Sequence, residues 1–383
     1  MSPVYEARRK FLLDSTAAAS GLILGSFCSI GRADSTAHLG RVVGPGKGKN
    51  PTNGDDLYFI GIYDLDDADG KVRTINNIDF FGHGITPHPL DARRAVVFEK
   101  HGKGCCEIDL NEARMIRRIE TTAERQFYGH GAFSPDGQLL YAAETVVTDG
   151  SMRGVVAVRD GKSFELLGDF PSYGLAPHDC HLIDDGETLV FSNGGGSIGT
   201  KDYASVTYVG AKDRKLKRRV SVSDPGLNAG HIAISSSGKL ALVSAPRDGI
   251  KKQSIDWRGN ISFYDPQKDQ LRVANAPIRS KMVGETLSVA IHEPSMVVGA
   301  TNPTGDLVTF WDFDTGELVK AIHGRYRSPR GISLTLDQRY FVLTYDKSTH
   351  LILLDAETFE PVESSYLPIS YMAGSHNLVY AAV

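Results

Sequence analysis

The chain has 383 residues, of which 41% are hydrophobic and 23% charged, with 40 glycines and a formal net charge of -4. This composition is that of a globular protein long enough to bury a large core. A slightly acidic chain offers no extended basic surface for nucleic acid or anionic lipid, so we expect neither as a partner.

The N-terminal segment is typical of an export signal rather than of a folded element. The basic residues Arg8–Lys10 precede a mild apolar stretch that ends near Gly31–Ala33. Paired arginines before such a stretch indicate a twin-arginine signal, and the stretch is too short for a membrane span. We therefore expect a signal peptide over residues 1–33, a flexible tether over residues 34–54, and a mature periplasmic protein with no integral membrane segment.

From residue 55 to residue 383 the chain repeats a unit of paired strands around polar turns. Each unit has a first hairpin, such as Gly131–Glu144, and a second hairpin, such as Val155–Phe170. Alternating apolar residues with Asp- and Gly-containing turns indicate β-hairpins. Six full units and unmatched strands at both chain ends give seven units of about 47 residues, the size of propeller blades. We predict one all-β domain, a seven-bladed β-propeller closed by N- and C-terminal strands that share one blade.

The cysteines do not form a disulfide framework. One of the four lies in the expected signal, which leaves Cys105, Cys106 and Cys180. An odd number cannot pair completely in an oxidising compartment. We expect at least one of the adjacent Cys105 and Cys106 to be buried as a small hydrophobic residue.

A histidine or an arginine stands just before the first strand of six repeats. These residues are His83, His130, His178, His231, Arg330 and His376. The residue that enters the innermost strand of a blade lies at the mouth of the central channel, so these side chains should gather around one axis. Converging neutral imidazoles suit copper, zinc or iron, which makes the five histidines candidate metal ligands.

Two charged residues are candidates for a polar or anionic partner at the same mouth. Glu285 occupies the repeat that lacks the histidine and could supply a carboxylate there. Arg330 favours a small anion as an alternative to a metal ion, because a fixed guanidinium would be repelled by a bound cation.

Four residues with potential ligand side chains follow one another at positions 178–181. Alternation along a strand predicts that His178 and Cys180 share one face and that Asp179 and His181 share the other, so that only one pair faces the channel. Cys180 is then either a soft metal ligand or a core cysteine between blades. His88 and His292 lie close to prolines, and we expect them on the surface of the rim.

Several segments together resemble a known family. They are Phe127–Ser134, Leu175–Asp179, Phe191–Gly195 and Ser375–Leu378. They resemble bacterial twin-arginine-exported propeller proteins of uncharacterised function, commonly encoded beside imelysin-type periplasmic iron-uptake proteins. The chain is also similar to YVTN and WD40-type propellers through Trp311–Asp312, and it departs from the family at Gly374–Ser375, where a Trp-Asp pair is expected. The resemblance implies a propeller fold, a periplasmic location and iron-uptake proteins as partners, but no reaction.

Three functions stay open at this point. The first is a periplasmic binding or scaffold protein whose histidine-rich channel mouth holds a metal ion or a small anion, associated with iron or metal uptake. The second is a metal-dependent enzyme, a lactonase-like hydrolase or an oxidoreductase, with Glu285 as its acid or base. The third is a protein-interaction propeller in which each histidine is structural and hydrogen-bonds to an Asp or Ser of its own blade.

Overall fold

The computed structural model describes residues 38–67, 70–267, 270–346 and 350–381. These residues form an all-β structure with two short 3-10 helices, Asp184–Gly186 and Pro277–Lys281. The expected signal peptide lies outside the described residues, so its assignment stays a prediction. No helix within the described ranges has the length and apolar character that a membrane span needs.

All pairings between the described strands are antiparallel, and apart from β5 with β8 and β1 with β28 each joins strands that are neighbours in the chain. The first part of the chain contains β1 (Arg41–Lys49), β2 (Asp56–Asp64), β3 (Arg73–Ile78), β4 (Gly82–His88), β5 (Asp91–Gly102), β6 (Cys105–Asp109), β7 (Arg114–Arg118), β8 (Arg125–Phe133), β9 (Leu139–Val146), β10 (Arg153–Asp160), β11 (Leu166–Leu175), β12 (Pro177–Ile183), β13 (Thr188–Asn193), β14 (Ser205–Gly210) and β15 (Leu216–Ser221). The second part contains β16 (Ile232–Ile234), β17 (Leu240–Ser244), β18 (Asn260–Asp265), β19 (Gln270–Val273), β20 (Val289–His292), β21 (Val297–Asn302), β22 (Leu307–Asp312), β23 (Leu318–His323), β24 (Ile332–Leu334), β25 (Tyr340–Tyr345), β26 (His350–Asp355), β27 (Pro361–Leu367) and β28 (Leu378–Tyr380).

The described strands form five sheets of four strands and one sheet of eight strands. Four of the smaller sheets follow chain order (β12–β15, β16–β19, β20–β23 and β24–β27), and the fifth has the order β28-β1-β2-β3, with β28 paired to β1. The all-β propeller class is confirmed, but the prediction of seven blades is wrong: there are five separate four-stranded blades. The other strands, β4 to β11, share one sheet because the 12-residue β5 extends far enough to pair Lys100 with Tyr128 of β8.

The first strand lies within the segment that was expected to be a flexible tether, so that part of the prediction is wrong. Glycine and proline in Arg41–Lys49 indicate a loop, yet this strand pairs with β2 along its whole length. The reason is close packing: a side chain at Gly46 would meet the backbone oxygen of Tyr371 at 2.0 Å. Pro45 fits because β28 pairs only with residues 41–43, so its missing N–H is not needed there.

The core lies between neighbouring sheets. Phe310 of β22 stacks on Phe359, with 4.2 Å between the ring centroids, and packs against Phe341 of β25. Trp311, on the opposite face of β22, packs toward the preceding sheet. Burial of each such side chain stabilises the fold by about 1.5–3 kcal/mol. These contacts fix the sheets around the axis and thereby fix the residues at the strand entrances.

The three described cysteines are all buried and free, which confirms the prediction for Cys105 and Cys106. They belong to three different hydrophobic clusters, one for each cysteine. Burial raises the pKa of Cys106 to about 12 and also raises the pKa values of Cys105 and Cys180. Each thiol is therefore both protonated and enclosed at neutral pH.

Thiol reactivity provides a test of this packing. In a chain that starts at Asp34, we expect an aromatic disulfide reagent to modify none of the three cysteines in the native protein at mildly alkaline pH. Unfolding in urea should expose all three thiols, because unfolding restores their ordinary pKa values and solvent access. Rapid reaction of any thiol in the native protein would contradict the buried positions. The absorbance of the released thiolate measures both states.

Candidate metal centre

Five histidine side chains meet at the axis. They come from β4 (His83), β8 (His130), β12 (His178) and the loops that precede β16 (His231) and β28 (His376). The Nε2 atoms of His83 and His178 are 3.3 Å apart, those of His83 and His231 are 3.1 Å apart, and those of His178 and His231 are 2.8 Å apart. The predicted gathering of these residues is therefore present in the structure.

Four of the five rings form a group with the dimensions of a metal site. One nitrogen from each of His83, His130, His231 and His376 lies within 4.8 Å of the nitrogen of every other member. The His231 and His376 rings approach most closely, with 3.7 Å between their centroids. Side chains from distant parts of the chain thus place four imidazole nitrogens around one small volume.

The nitrogen separations match the edges of a coordination polyhedron. A metal–nitrogen bond of about 2.0–2.1 Å gives ligand separations of about 2.9 Å at a right angle and about 3.4 Å in a tetrahedron. The three Nε2 atoms of His83, His178 and His231 are 2.8–3.3 Å apart. Three neutral imidazoles cannot hydrogen-bond in all three pairs of such a triangle, because each Nε2 atom carries either a proton or a lone pair and two of the three must therefore be alike. A cation shared by His83 and His231 would remove the conflict at their 3.1 Å contact, and His178 Nε2 can accept a hydrogen bond from Lys100.

Partners of the Nδ1 atoms orient two of these rings. His231 Nδ1 lies 2.6 Å from the carbonyl oxygen of Leu287, and His130 Nδ1 lies 3.4 Å from Asp179 Oδ1. An N–H at Nδ1 that donates to these oxygens leaves the Nε2 lone pair free. A carbonyl or a carboxylate behind the imidazole is the usual outer partner of a metal-bound histidine.

Two buried nitrogens have no hydrogen-bond partner. His130 Nε2 and His376 Nε2 are inaccessible to solvent and unpaired among the described residues. On the far side of its ring, His376 Nδ1 lies 3.4 Å from Ser288 Oγ. A buried polar atom without a partner costs free energy, and the lone pairs of two such atoms in one cluster fit the chemistry of a metal ion.

The five histidines are neutral at neutral pH. Burial lowers the pKa of every one of them, and it does so strongly for His83, His178, His231 and His376. The positive charge of Lys100 lowers the pKa of His83 and His178 further. Neutral imidazoles are the form that binds metal, so protons do not compete for these nitrogens near pH 7.

A β-bulge overturns the predicted alternation at residues 178–181. The register of β12 against β13 shifts between Pro177 and Asp179, so both His178 and Asp179 face the axis. Cys180 instead packs in a hydrophobic cluster between sheets, which excludes it from the histidine group. The extra residue of a bulge turns one side chain to the other face of the strand, which simple alternation does not include.

Asp179 contacts His130 of the cluster on one side and His181 on the other. Its Oδ1 atom lies 3.4 Å from His130 Nδ1 and 3.3 Å from His181 Nε2, and its Oδ2 atom accepts the backbone N–H of Ile232. Burial alone would raise the pKa of Asp179, but His130 and His181 outweigh it and hold that pKa well below the usual range. Burial likewise opposes the charged form of His181, yet Asp179 raises the pKa of this imidazole. Asp179 is therefore a carboxylate paired with His181.

Three charged residues, Lys100, Arg330 and Glu285, act on the cluster or on one another through their charges. Lys100 Nζ is 3.3 Å from His178 Nε2, so its ammonium group can donate a hydrogen bond to this ring. Arg330 donates from Nε to the carbonyl oxygen of Gly374. Burial lowers the pKa of both Lys100 and Arg330, and Glu285 opposes this shift in each. The placement of Arg330 and Glu285 at one mouth stays a prediction.

The remaining histidine predictions have mixed outcomes. His88 lies on the rim, where its ring packs against Phe133 at 4.9 Å. His292 is buried, and its Nδ1 atom contacts Ser295 Oγ at 2.6 Å, so the surface position predicted for it is wrong. Neither residue belongs to the cluster. Sequence reasoning did not identify Lys100. This residue lies near the end of β5, the strand that follows β4 and returns toward the histidine cluster, and that position could have indicated its role.

Gly129 allows two histidines to approach each other. Its φ of 110° favours glycine, and a Cβ at this position would lie 2.5 Å from His83 Cδ2. We expect a Gly129→Ala variant to lose about 1–3 kcal/mol of stability. It should also bind metal at least about tenfold more weakly, because the His83 ring must move. Urea unfolding and metal titration measure the two effects.

A matched control separates backbone strain from displacement of the ring. Gly199 has a φ of 90° with no atom within 4 Å of its Cβ position. A Gly199→Ala variant should therefore lose stability because of its positive φ, and it should keep the native metal affinity. Equal metal affinities for the two variants would contradict the positioning role of Gly129.

The fold and the site define a class of protein, an all-β propeller with a histidine cluster at its axis. The chain belongs to the family described as Protein of unknown function (DUF1513), whose family model matches residues 77–344. No curated protein matches the chain in sequence.

Two solved structures illustrate the likeness of the fold. The chain is similar to hydrazine synthase of Kuenenia stuttgartiensis at 14% identity and a TM-score of 0.63, over 88% of this chain and 99% of that chain. It is also similar to the Cps50 (Swd1) β-propeller domain of Myceliophteria thermophila at 13% identity and a TM-score of 0.55, over 80% of this chain and 94% of that chain. At these identities the likeness concerns the fold alone.

Proposed function

We propose that the protein is a periplasmic binding propeller that holds one first-row transition metal ion, copper, iron or zinc, at its axis. The ligands are the Nε2 atoms of His83, His130, His231 and His376. Imidazole nitrogen is a ligand that all three metals accept, and the set contains neither thiolate nor carboxylate. His178 lies beside this set and accepts a hydrogen bond from Lys100.

The observation that carries the proposal is the convergence of four neutral histidines within 4.8 Å. The structural alternative requires each histidine to bond within its own blade. The partners instead come from other sheets: His130 of β8 contacts Asp179 of β12, and His83 of β4 contacts His231, which precedes β16. Contacts of this kind support a shared centre over repeated local bonds.

Location and partners are further parts of the proposal. The paired arginines before an apolar stretch support export through the twin-arginine route, which carries proteins that are already folded. The resemblance to propellers encoded beside imelysin-type proteins supports a role in iron or metal uptake with periplasmic partners. A metal centre whose four ligands come from three different sheets fits export after folding, since these ligands come together only in the native chain.

Metal content tests the proposal. The native protein, exported by its own signal and purified without chelators, should contain close to one equivalent of copper, iron or zinc by inductively coupled plasma mass spectrometry. The same protein treated with a chelator should regain one equivalent when metal is restored. Protein that holds no metal after purification and takes up none would contradict the proposed function.

A further inference from the structure

A cavity of about 430 Å³ opens between the eight-stranded sheet and the sheet β12–β15. Its walls are the first residues of β10, the last residues of β11, the loop before β14 and the end of β15. The described residues that line it include none of the five clustered histidines. Its volume lies within the ordinary range of ligand pockets, about 300–1,000 Å³, so it can hold a small organic molecule.

An irregular stretch of β11 forms one wall of this cavity. Arg153 pairs with Leu175 and Val155 pairs with Pro171, so β11 uses four residue steps where β10 uses two. Tyr173 lies in the extra length with a φ of 61°, a left-handed conformation that a bulky residue rarely adopts. Bulges and residues in such conformations are concentrated beside binding sites, which makes this wall a candidate for one.

Buried hydrogen bonds hold this irregular stretch in place. Ser172 Oγ donates to Asn193 Oδ1 at 2.8 Å, and Asn193 Nδ2 donates to Thr207 Oγ1 at 2.9 Å. Thr207 Oγ1 donates in turn to the carbonyl oxygen of Ser172 at 2.8 Å, which closes a ring of three buried side chains. The wall is therefore formed before any ligand binds, and a preformed wall lowers the entropic cost of binding.

Positive charge predominates in the cavity. Its charged residues are three cations and one carboxylate, namely Arg153, Lys201, Arg219 and Asp202. The guanidinium of Arg219 on β15 donates to the backbone oxygen of Tyr173 on β11 and so bridges the two sheets. Asp149 approaches Arg153 only at 4.0 Å, and within the described ranges Lys201 and Arg219 form no ion pair. Cations without a close carboxylate partner favour an anionic ligand.

An accessible aromatic ring lies beside these charges. Tyr203 lines the cavity and is 52% exposed. The buried Arg247 lies over this ring, 5.4 Å from its centroid, and supports it from the protein side. Pro171 and Leu175 add apolar surface to the same cavity. An exposed tyrosine ring next to apolar surface suits a flat aromatic group, which packs on it by offset stacking.

We infer that this cavity binds a small aromatic phosphate monoester. Its phosphate group lies between Arg219 and Lys201, and its ring packs on Tyr203. Three cations and one carboxylate leave a surplus of two positive charges, which matches the charge of about -1.5 to -2 on a phosphate monoester at pH 7. The site is separate from the metal centre and does not depend on it.

The test compares a complete ligand with each of its two parts. The protein is titrated with 1-naphthyl phosphate, with inorganic phosphate and with 1-naphthol, and isothermal titration calorimetry reports binding. We expect one equivalent of 1-naphthyl phosphate to bind, at least about tenfold more tightly than either part, because only the complete ligand contacts both the cations and the ring.

Variants locate the ligand in the cavity. Arg219→Gln should weaken binding of 1-naphthyl phosphate at least about tenfold, the effect of one lost hydrogen bond to a charged group. Tyr203→Ser should weaken binding of 1-naphthyl phosphate and leave that of inorganic phosphate unchanged. Arg114 on β7 and Tyr366 on β27 are exposed residues outside the cavity. Arg114→Gln and Tyr366→Ser are therefore the matched controls and should bind like the native chain.

Three outcomes would overturn the inference. They are no binding of 1-naphthyl phosphate, equal binding of the three compounds, and an affinity that Arg219→Gln leaves unchanged, which would mean that the phosphate binds elsewhere, for example at the metal centre. Circular dichroism shows whether each variant is folded. If Arg219→Gln does not fold, Lys201→Gln in the exposed loop before β14 replaces it, with the same expected loss of affinity.

Discussion

The affinity of a His83→Ala/His231→Ala variant for zinc is expected to fall by at least about 1,000-fold, well beyond the 10–100-fold cost of losing an outer partner. These two residues belong both to the close triangle of Nε2 atoms and to the four-histidine group. Without them the remaining nitrogens cannot complete a tetrahedral site. Competition with a coloured chelator measures the affinity.

The control removes two histidines from outside the cluster. His88 packs on Phe133 at the rim, and His350 contacts Asp346 at 3.1 Å on β26. A His88→Ala/His350→Ala variant should keep the native zinc affinity. Near-native affinity in the His83→Ala/His231→Ala variant would mean that the metal binds elsewhere, and circular dichroism shows whether each variant is folded.

A second large effect is expected on stability, at a buried ion pair in the eight-stranded sheet. Arg159 of β10 donates to Glu144 of β9 at 2.8 Å, and both side chains are almost completely buried. The nearest other cation, Arg125, lies 3.9 Å from Glu144. Arg159→Met leaves the carboxylate without its close partner, so we expect a loss of about 3–5 kcal/mol in the free energy of unfolding. Urea denaturation measures this loss.

Two further variants complete that experiment. Replacing both charges in Glu144→Leu/Arg159→Met should recover a large part of the loss, because no buried charge is left unpaired. The exposed pair of Lys212 and Glu187 is the control, and Lys212→Met should leave the urea midpoint nearly unchanged. A small effect of Arg159→Met, similar to that of Lys212→Met, would contradict the account of the buried pair.

The histidine cluster could be predicted because a repeat places the same residue at the same point of each unit. Local periodicity identified the hairpins, because the alternation of apolar residues reflects which face of a strand is buried. Arg330 and Glu285 followed from the same repeat position. None of these predictions needed knowledge of contacts between distant residues.

The errors came from features that depend on tertiary contacts. The pairing of Lys100 with Tyr128 fuses two hairpin groups into one sheet, and no local pattern marks that pairing. The bulge before Asp179 turns this residue toward the axis, against the simple alternation of a strand. The segment Arg41–Lys49 is a strand in which Gly46 fits closely against the backbone of Tyr371, a contact that composition does not reveal.

The most direct test of the metal centre is anomalous diffraction from crystals of the zinc-loaded protein, recorded on both sides of the zinc absorption edge. The proposal predicts one strong anomalous peak on the axis, about 2.0–2.1 Å from the Nε2 atoms of His83, His130, His231 and His376. An axis without a peak, or a zinc ion bound by other residues, would contradict it.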